Sequence, residues 1–242
     1  MRILLSGSTG HLGCYLVEEL LKRGHEVLAL NRRPHPLYQS TAGYREWILT
    51  DYSWNELSDL VARESPDGIA HCAALSSPAA CESDPSGHDL ANMTFSERLI
   101  HLAEHLDCHL CFTSSDLVFE ASNPQGGGFT ERDQPSCWSR YAKGKLATER
   151  LVGGLGANGL SLRVCLVYGA PKGDARGNLA WILDALSDNR QVRLFCDEWR
   201  TPIYVSSLAH IIAISLETRA SGLLHCGGTE RVSRFEMGQA LC

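Results

Sequence analysis

A strand that turns through glycines straight into a helix is the most constraining feature of this chain, and it occupies Met1 to Gly24. Arg2-Ile3-Leu4-Leu5-Ser6 is a short apolar run, Gly7-Ser8-Thr9-Gly10-His11-Leu12-Gly13 carries glycine at every third position, and a helical pattern continues to Gly24. Such a turn aims unpaired backbone N–H groups at one point, where the helix dipole adds partial positive charge. A diphosphate suits that point. Gly7 is expected to permit the tight turn, Gly10 to let the backbone approach the phosphates, and Gly13 to let the helix pack on the strand. Strand before and helix after make this a dinucleotide-binding turn, with Thr9, His11 and Leu12 joining the glycines at the cofactor.

The next turn narrows the cofactor. His25 to Leu30 reads as a second strand ending at Asn31-Arg32-Arg33-Pro34. An acid there would accept from a ribose 2′-hydroxyl, whereas two arginines suit a 2′-phosphate, so NADP(H) is expected rather than NAD(H), with Asn31, Arg32 and Arg33 beside it. The other reading of Arg32 and Arg33 is a pair of solvated loop residues. Glu46 to Thr50 reads as the third strand, followed by Asp51 and Tyr52, and Ser53 with Glu56 forms a capping box that starts the next helix.

Two residues downstream carry chemistry. Tyr141 and Lys145 stand four apart in a helical stretch, on one face and pointing the same way. Only four lysines occur in 242 residues, so a chance Y-x-x-x-K is uncommon. A phenol of pKa about 10 is a poorly matched acid near neutral pH. A neighbouring ammonium favours phenolate, and bringing the pKa to about 7 corresponds to about 4 kcal/mol. Lys145 is therefore expected to lower Tyr141 and to hold the nicotinamide ribose, while Ser115, at the end of the strand His109 to Thr113, donates to the developing alkoxide. The competing reading is a structural tyrosine and a surface lysine.

The remaining elements follow from periodicity and turn residues. Leu90 to Leu106 has helical spacing, Asn123 to Gln134 reads as a mobile loop over the site, and Leu160 to Gly169 reads as one strand. Ala180 to Leu186 reads as a helix, Gln191 to Phe195 as a strand, and Ser233 with Glu236 as a second capping box.

Several of these segments carry a family resemblance. The G-x-x-G-x-x-G turn resembles that of the extended short-chain dehydrogenase/reductase superfamily, and Asp67 to Ala74 resembles its D-x-x-x-H-x-A-A segment. Ser114-Ser115-Asp116-Leu117-Val118-Phe119 resembles the S-T-D-x-V-F segment of the dTDP-4-dehydrorhamnose reductases, with Ser115 in place of threonine. Leu162 to Gly169 is similar to the family's L-R-x-x-x-V-Y-G strand, although Leu166 stands where the reductases carry tryptophan. Arg200 to Ala209 is similar to R-x-P-x-Y-V-x-D-L-A, with Ser207 for aspartate.

The resemblance implies roles. Asp51 and Tyr52 would lie at the adenine, although Asp51 serves equally well as an aid to the following helix start. Cys72, Ala73 and Ala74 would lie along the diphosphate and ribose, Asn92 would be the family's helical asparagine, and Val167 would approach the nicotinamide. Position 75, Phe119 and Arg200 would meet the substrate, with a structural ion pair as the other reading of Arg200.

Bulk properties set the frame. A chain of 242 residues buries one good core. A net charge of −6 with 21% charged residues leaves no basic stripe, so no nucleic acid is expected. The short N-terminal strand is no signal peptide, and Ile211 to Leu216 is too short to span a bilayer, so a cytoplasmic protein with no membrane partner is expected. Ten scattered cysteines read as reduced small hydrophobes. Cys108 and Cys111 have metal-like spacing without a second pair, so no metal is expected.

These readings give an α/β protein, a Rossmann-type doubly wound parallel sheet with a small C-terminal substrate-binding lobe. The single NAD(P)-binding domain spans 1–242, and the lobe comes mainly from 170–204 and 228–242. The activity expected is NADP(H)-dependent reduction of a keto group on a nucleotide-linked sugar. Two alternatives stay open: an epimerase or dehydratase of nucleotide sugars, and a non-catalytic NADP-binding subunit like the regulatory subunit of methionine adenosyltransferase, which the sequence also resembles. Family relatives form homodimers through exposed helices and run some tens of residues further than Cys242, which implies a dimer and a shortened lobe.

Overall fold

Apolar side chains alternate strictly along the first strands, and that alternation produces three layers. In the computed structural model, which describes residues 1–49, 52–120, 128–173, 175 and 177–241, β1 (Arg2–Ser6) leads through the glycine turn into α1 (His11–Lys22), β2 (Glu26–Asn31), β3 (Tyr44–Ile48), α2 (Trp54–Glu64) and β4 (Gly68–His71). The short helices α3 (Pro78–Ser83) and α4 (Pro85–His88) and a π-helical turn, Asp89–Thr94, lead into α5 (Phe95–Leu106) and β5 (His109–Ser115). Then come α6 (Arg140–Gly153), β6 (Gly159–Val164), β7 (Val167–Tyr168), α7 (Ala180–Ser187), β8 (Trp199–Arg200) and β9 (Ile203–Tyr204). The order ends with α8 (Val205–Thr218), β10 (Gly222–Cys226), β11 (Val232–Ser233) and α9 (Arg234–Gln239).

Seven strands form one parallel sheet in the order β10-β6-β5-β4-β1-β2-β3. The chain winds outward from β1 through β2 and β3, then returns to the other side of β1 as β4. That reversal opens a crevice at the carboxyl ends of β1 and β4. Ile3, Leu5, Val27, Ala29 and Ala70 pack with Leu16, Val17 and Leu20 of α1 and Leu208, Ile212 and Leu216 of α8. Leu4, Leu28, Ile69, Leu110 and Phe112 point the other way, into Leu57, Leu60 and Val61 of α2 and Phe95 and Leu99 of α5. Each such side chain contributes about 1.5–3 kcal/mol on full burial. Truncating fully buried Leu16 to alanine costs about 2–5 kcal/mol, because the sheet above it cannot collapse into the gap.

Four sequence expectations change. The third strand starts at Tyr44, two residues before the expected Glu46, because β3 pairs from Val27↔Tyr44 onward. The helix expected from Leu90 is interrupted by the π-turn. The strand expected from Leu160 to Gly169 breaks after Val164: the Cys165 N–H still donates to the Cys226 carbonyl at 3.0 Å, after which β7 leaves the sheet to pair with β9. Gln191 to Phe195 is not a strand; Leu194 packs on Gly238, and the Phe195 carbonyl accepts from Phe235 N–H. Small strand pairs β7/β9 and β8/β11 flank the main sheet. Among the described residues no helix is long and apolar enough to cross a membrane.

Candidate active site

The glycines of the first turn meet backbone, not solvent. Gly7 sits at φ +81°, and a Cβ there would lie 2.7 Å from the Ala73 nitrogen. A Cβ on Gly13 would fall 2.0 Å from the Gly7 carbonyl oxygen, so α1 packs on the turn itself. Gly10 caps α1 and, with Gly7 and Thr9, lines a cleft of about 250 Å³. His11 and Leu12 begin α1, but their side chains leave this cleft. His11 Nε2 lies 3.1 Å from the Ala170 carbonyl, with its pKa pushed down by burial, and Leu12 packs against the core. What these two positions offer the cleft is backbone at a helix start.

The end of β2 divides its expected residues. Asn31 borders the cleft, yet its amide is engaged inward: Nδ2 donates to Tyr44 Oη at 3.1 Å and Glu46 Oε2 at 3.0 Å, and Oδ1 accepts from Ser8 Oγ at 2.6 Å. Arg32 lines the cleft with Tyr52, whose phenol is pushed up by burial and partly brought back by the Arg32 charge. Arg33 is exposed and does not line it. Tyr52 adopts φ +57° and stacks on Phe95 with ring centres 4.4 Å apart. Asp51 lies outside the described residues. Glu46, which sequence reasoning passed over, also accepts the His35 N–H at 2.9 Å. Only the pairing Ala29↔Glu46 brings that carboxylate beside Asn31.

Cys72, Ala73, Ala74 and Leu75 form the opposite wall of the same cleft. Leu75, expected at the substrate, therefore borders the cofactor side. Asn92 fixes it: Oδ1 accepts the Leu75 N–H at 2.7 Å, and Nδ2 donates to the Leu75 carbonyl at 3.1 Å. Asn92 thus clamps the loop from within the π-turn and does not line the cleft. Below it, buried His71 bridges Ser6 Oγ and Ser96 Oγ, each at 2.7 Å, and Ser96 Oγ donates to the Asn92 carbonyl. Burial first, then the Lys145 charge, pushes His71 down to about 3.

The three expected catalytic residues gather where β5 ends against α6. Ser139 caps α6, its Oγ accepting Ala142 N–H at 3.2 Å, and this sets the helix that carries Tyr141 and Lys145. Ser115, Tyr141 and Lys145 are all buried. Ser115 Oγ accepts Leu117 N–H at 3.1 Å and donates to Asp116 Oδ1 at 3.3 Å. The Tyr141 phenol is pushed up to about 12, by burial above all; a hydrogen bond with Ser115 opposes this, and the charges of Asp116 and Cys81 add to it. Lys145 Nζ donates to the Thr113 carbonyl at 2.7 Å, lies 4.6 Å from the Phe112 ring centre and 5.8 Å from that of Tyr141. Burial pushes Lys145 down to about 8, against the raising charges of Cys72, Glu149 and Cys81. The expected lowering of Tyr141 by Lys145 is therefore not what this arrangement gives. A buried ammonium takes the strongest acceptor in reach, and that is a backbone carbonyl.

A larger cleft of about 770 Å³ begins at Asp116 and Leu117, directly after Ser115. Phe119, Trp138, Phe195 and Trp199 give it aromatic walls. Phe119 stacks on Phe129 with ring centres 4.3 Å apart, and the Arg163 guanidinium lies 5.0 Å from Phe119. Arg200 lines this cleft as expected, already shared between Glu198 Oε1 at 2.8 Å and Asp116 Oδ2 at 3.5 Å. Val167 borders neither cleft; it packs on the core in β7. The loop expected to be mobile is pinned over its described part, since Glu131 Oε1 accepts the His225 N–H at 2.7 Å and Thr130 bonds Asp133. Residues 121–127 of it lie outside the described residues. Among the described residues no group of three His, Cys, Asp or Glu side chains is placed to hold a metal, and the described cysteines are free thiols.

Known proteins share this arrangement. The model of the RmlD substrate binding domain matches residues 1–242. A probable low-salt glycan biosynthesis reductase, Agl14, from Haloferax volcanii is 26% identical, the match covering 100% of this chain and 79% of that protein. Methionine adenosyltransferase 2 subunit beta from Rattus norvegicus is 28% identical over 99% of this chain and 71% of its own length. Among solved structures, Thermus thermophilus UDP-glucose 4-epimerase in complex with NAD superposes with a TM-score of 0.87 at 24% identity, covering 100% of this chain and 82% of that one. A hypothetical dTDP-4-dehydrorhamnose reductase from Sulfolobus tokodaii gives 0.80 at 26% identity, covering 100% and 81%.

Proposed function

The chain belongs to the RmlD substrate binding domain family, within the extended short-chain dehydrogenase/reductase superfamily, and from that premise we propose that it is an NADP(H)-dependent reductase of a keto group on a nucleotide-linked sugar. The observation that carries this reading is the convergence of buried Ser115, Tyr141 and Lys145 directly before a wide cleft and beside the glycine-lined one.

The residues fit a nicotinamide dinucleotide. Gly7 and Gly10 leave the narrow cleft open where Cβ atoms would close on backbone, and the start of α1 favours a diphosphate there. Arg32 supports a 2′-phosphate at the cleft edge, and Lys145 keeps N–H donors beyond the one engaged by Thr113 for ribose hydroxyls. Bound there, the nicotinamide supplies the hydride that the carbonyl carbon receives.

The protein supplies the proton. Burial keeps the Tyr141 phenol protonated at neutral pH, which suits a group that donates to a carbonyl oxygen and leaves an alcohol. An epimerase or dehydratase begins instead with a tyrosinate that takes a proton, so the raised phenol favours the reductase. Ser115 Oγ already accepts from Leu117 N–H, and its own proton makes only a long bond to Asp116. That proton is free to turn toward the developing alkoxide.

The test is consumption of NADPH or NADH, followed by its absorbance, with dTDP- and UDP-linked 4-keto sugars as substrates. Turnover by the wild type is expected, and Tyr141→Phe should lower it about a hundredfold or more while still binding NADPH. Cofactor binding without turnover of any such substrate would overturn the proposal in favour of a non-catalytic subunit.

A further inference from the structure

The ribbon of β8 and β11 sorts the arginines around the larger cleft onto two faces. Its register sets Val232 opposite Arg200 and Ser233 opposite Trp199, and the Arg234 N–H donates to the Glu198 carbonyl at 3.1 Å. Side chains alternate across such a ribbon. Glu198, Arg200 and Arg234 consequently share one face, and Trp199 and Arg231 share the other. On the first face Glu198 Oε1 holds both Arg200, at 2.8 Å, and Arg234, at 2.9 Å, while Asp116 also takes Arg200. Arg163, which lines the same cleft, is buried and held by Glu149 through Nε at 3.0 Å and Nη2 at 2.8 Å.

Arg231 differs. Its guanidinium lies 4.9 Å from the Trp199 ring centre at the cleft wall, and among the described residues no carboxylate engages it. A guanidinium over an aromatic face is held in position while its edge N–H groups stay available to an acceptor. We propose that Arg231, braced by Trp199, is the residue that receives the diphosphate of the substrate, Arg200 being committed to Glu198 and Asp116. This rests on the reading of the larger cleft as a nucleotide-sugar site. Asp197 lines the same cleft and has no ion pair among the described residues, so it is the carboxylate that repels a diphosphate held by Arg231.

The experiment is calorimetric titration of dTDP and UDP, with thymidine and uridine as controls, into wild type, Arg231→Gln, Arg231→Lys and Asp197→Asn, each with NADP present. Arg231→Gln should weaken the diphosphates about tenfold or more and leave the nucleosides within about twofold, since one charge-assisted contact is lost and stacking is not. Arg231→Lys should recover part of the loss, and Asp197→Asn should tighten the diphosphates. Wild-type affinity in Arg231→Gln, or an equal loss for the nucleosides, would overturn the assignment to Arg231 while leaving the cleft's reading intact. A wild type that binds neither diphosphate at millimolar concentration would overturn both.

Discussion

Lys145 Nζ donates to the Thr113 carbonyl at 2.7 Å, and this bond ties the helix that carries the candidate proton donor to the strand that carries Ser115. The ammonium is buried, so it is held by one strong acceptor and two aromatic faces, Phe112 and Tyr141. Without a carboxylate against it, desolvation dominates and its pKa falls from 10.5 to about 8.

A pH dependence follows from that fall. Between about 8 and 10.5 the unfolded chain holds the lysine proton and the native protein does not. Stability contributed by Lys145 therefore rises with pH across that window. Buried cysteines act oppositely: Cys72 is pushed up to about 12, and Cys108, Cys165 and Cys226 to about 11, so each lowers stability as pH climbs above 9. The clean readout is the difference in urea midpoint between wild type and Lys145→Met. That difference should move in favour of wild type from pH 8 to 10.5, and a flat difference would contradict the lowered lysine.

At the acid end the controlling group is His71. Its folded pKa of about 3 lies below its ordinary 6.5, so the unfolded chain gains the proton first as pH falls. Stability from a neutral His71 is complete above 6.5 and lost as pH drops toward 3. Ser6, Ser96, Phe95, Phe112 and Lys145 surround the ring, and none supplies a carboxylate to hold an imidazolium. His71→Gln should be less stable at pH 7 but lose less further stability between pH 6.5 and 4. Parallel curves for the two proteins would show that the acid sensitivity lies elsewhere.

Much of this was legible in the sequence, for reasons that differ by residue. The Gly7, Gly10 and Gly13 spacing and the Tyr141–Lys145 pair are local, so strand, turn and helix geometry alone place them. Glu46 was not legible as a partner of Asn31, because its position depends on the register of β3 against β2. Arg200 and Arg231 look alike in sequence. What separates them is the face of a two-stranded ribbon closed between segments more than thirty residues apart. Gln191 to Phe195 has strand-like alternation but no strand beside it, and pairing decides what alternation only suggests.

Cofactor selection separates the two arginines of the second turn. Arg32 lines the narrow cleft and Arg33 does not. Arg32→Ala should weaken NADPH by about ten- to a hundredfold, equivalent to about 1.5–3 kcal/mol for a charge-assisted contact, and change NADH little. Arg33→Ala should leave both cofactors close to wild type. Fluorescence titration with the two cofactors reads this directly, and equal binding of NADPH and NADH by the wild type would remove the selection altogether.

Two glycines of α6 should respond in opposite directions to the same substitution. A Cβ on Gly153 meets nothing within 4 Å, so Gly153→Ala should show the ordinary gain of a helical alanine, up to about 1 kcal/mol. Gly144 gains the same propensity, yet its Cβ would lie 2.7 Å from His88 Nε2, 2.9 Å from His88 Cε1 and 3.3 Å from Met93 Sδ. The His88 ring is buried and held through Nδ1 by Asp89 at 3.0 Å, and Asp89 in turn holds Arg140 beside Tyr141. Overpacking of this kind costs about 1–3 kcal/mol, which outweighs the helix gain. Gly144→Ala should therefore lower the melting temperature, and because Gly144 lies between Tyr141 and Lys145, the displaced helix should also lower kcat more than it raises KM for the cofactor. His88→Ala in the Gly144→Ala background should recover kcat. If Gly144→Ala is as stable and active as Gly153→Ala, the close approach of His88 does not set the position of α6.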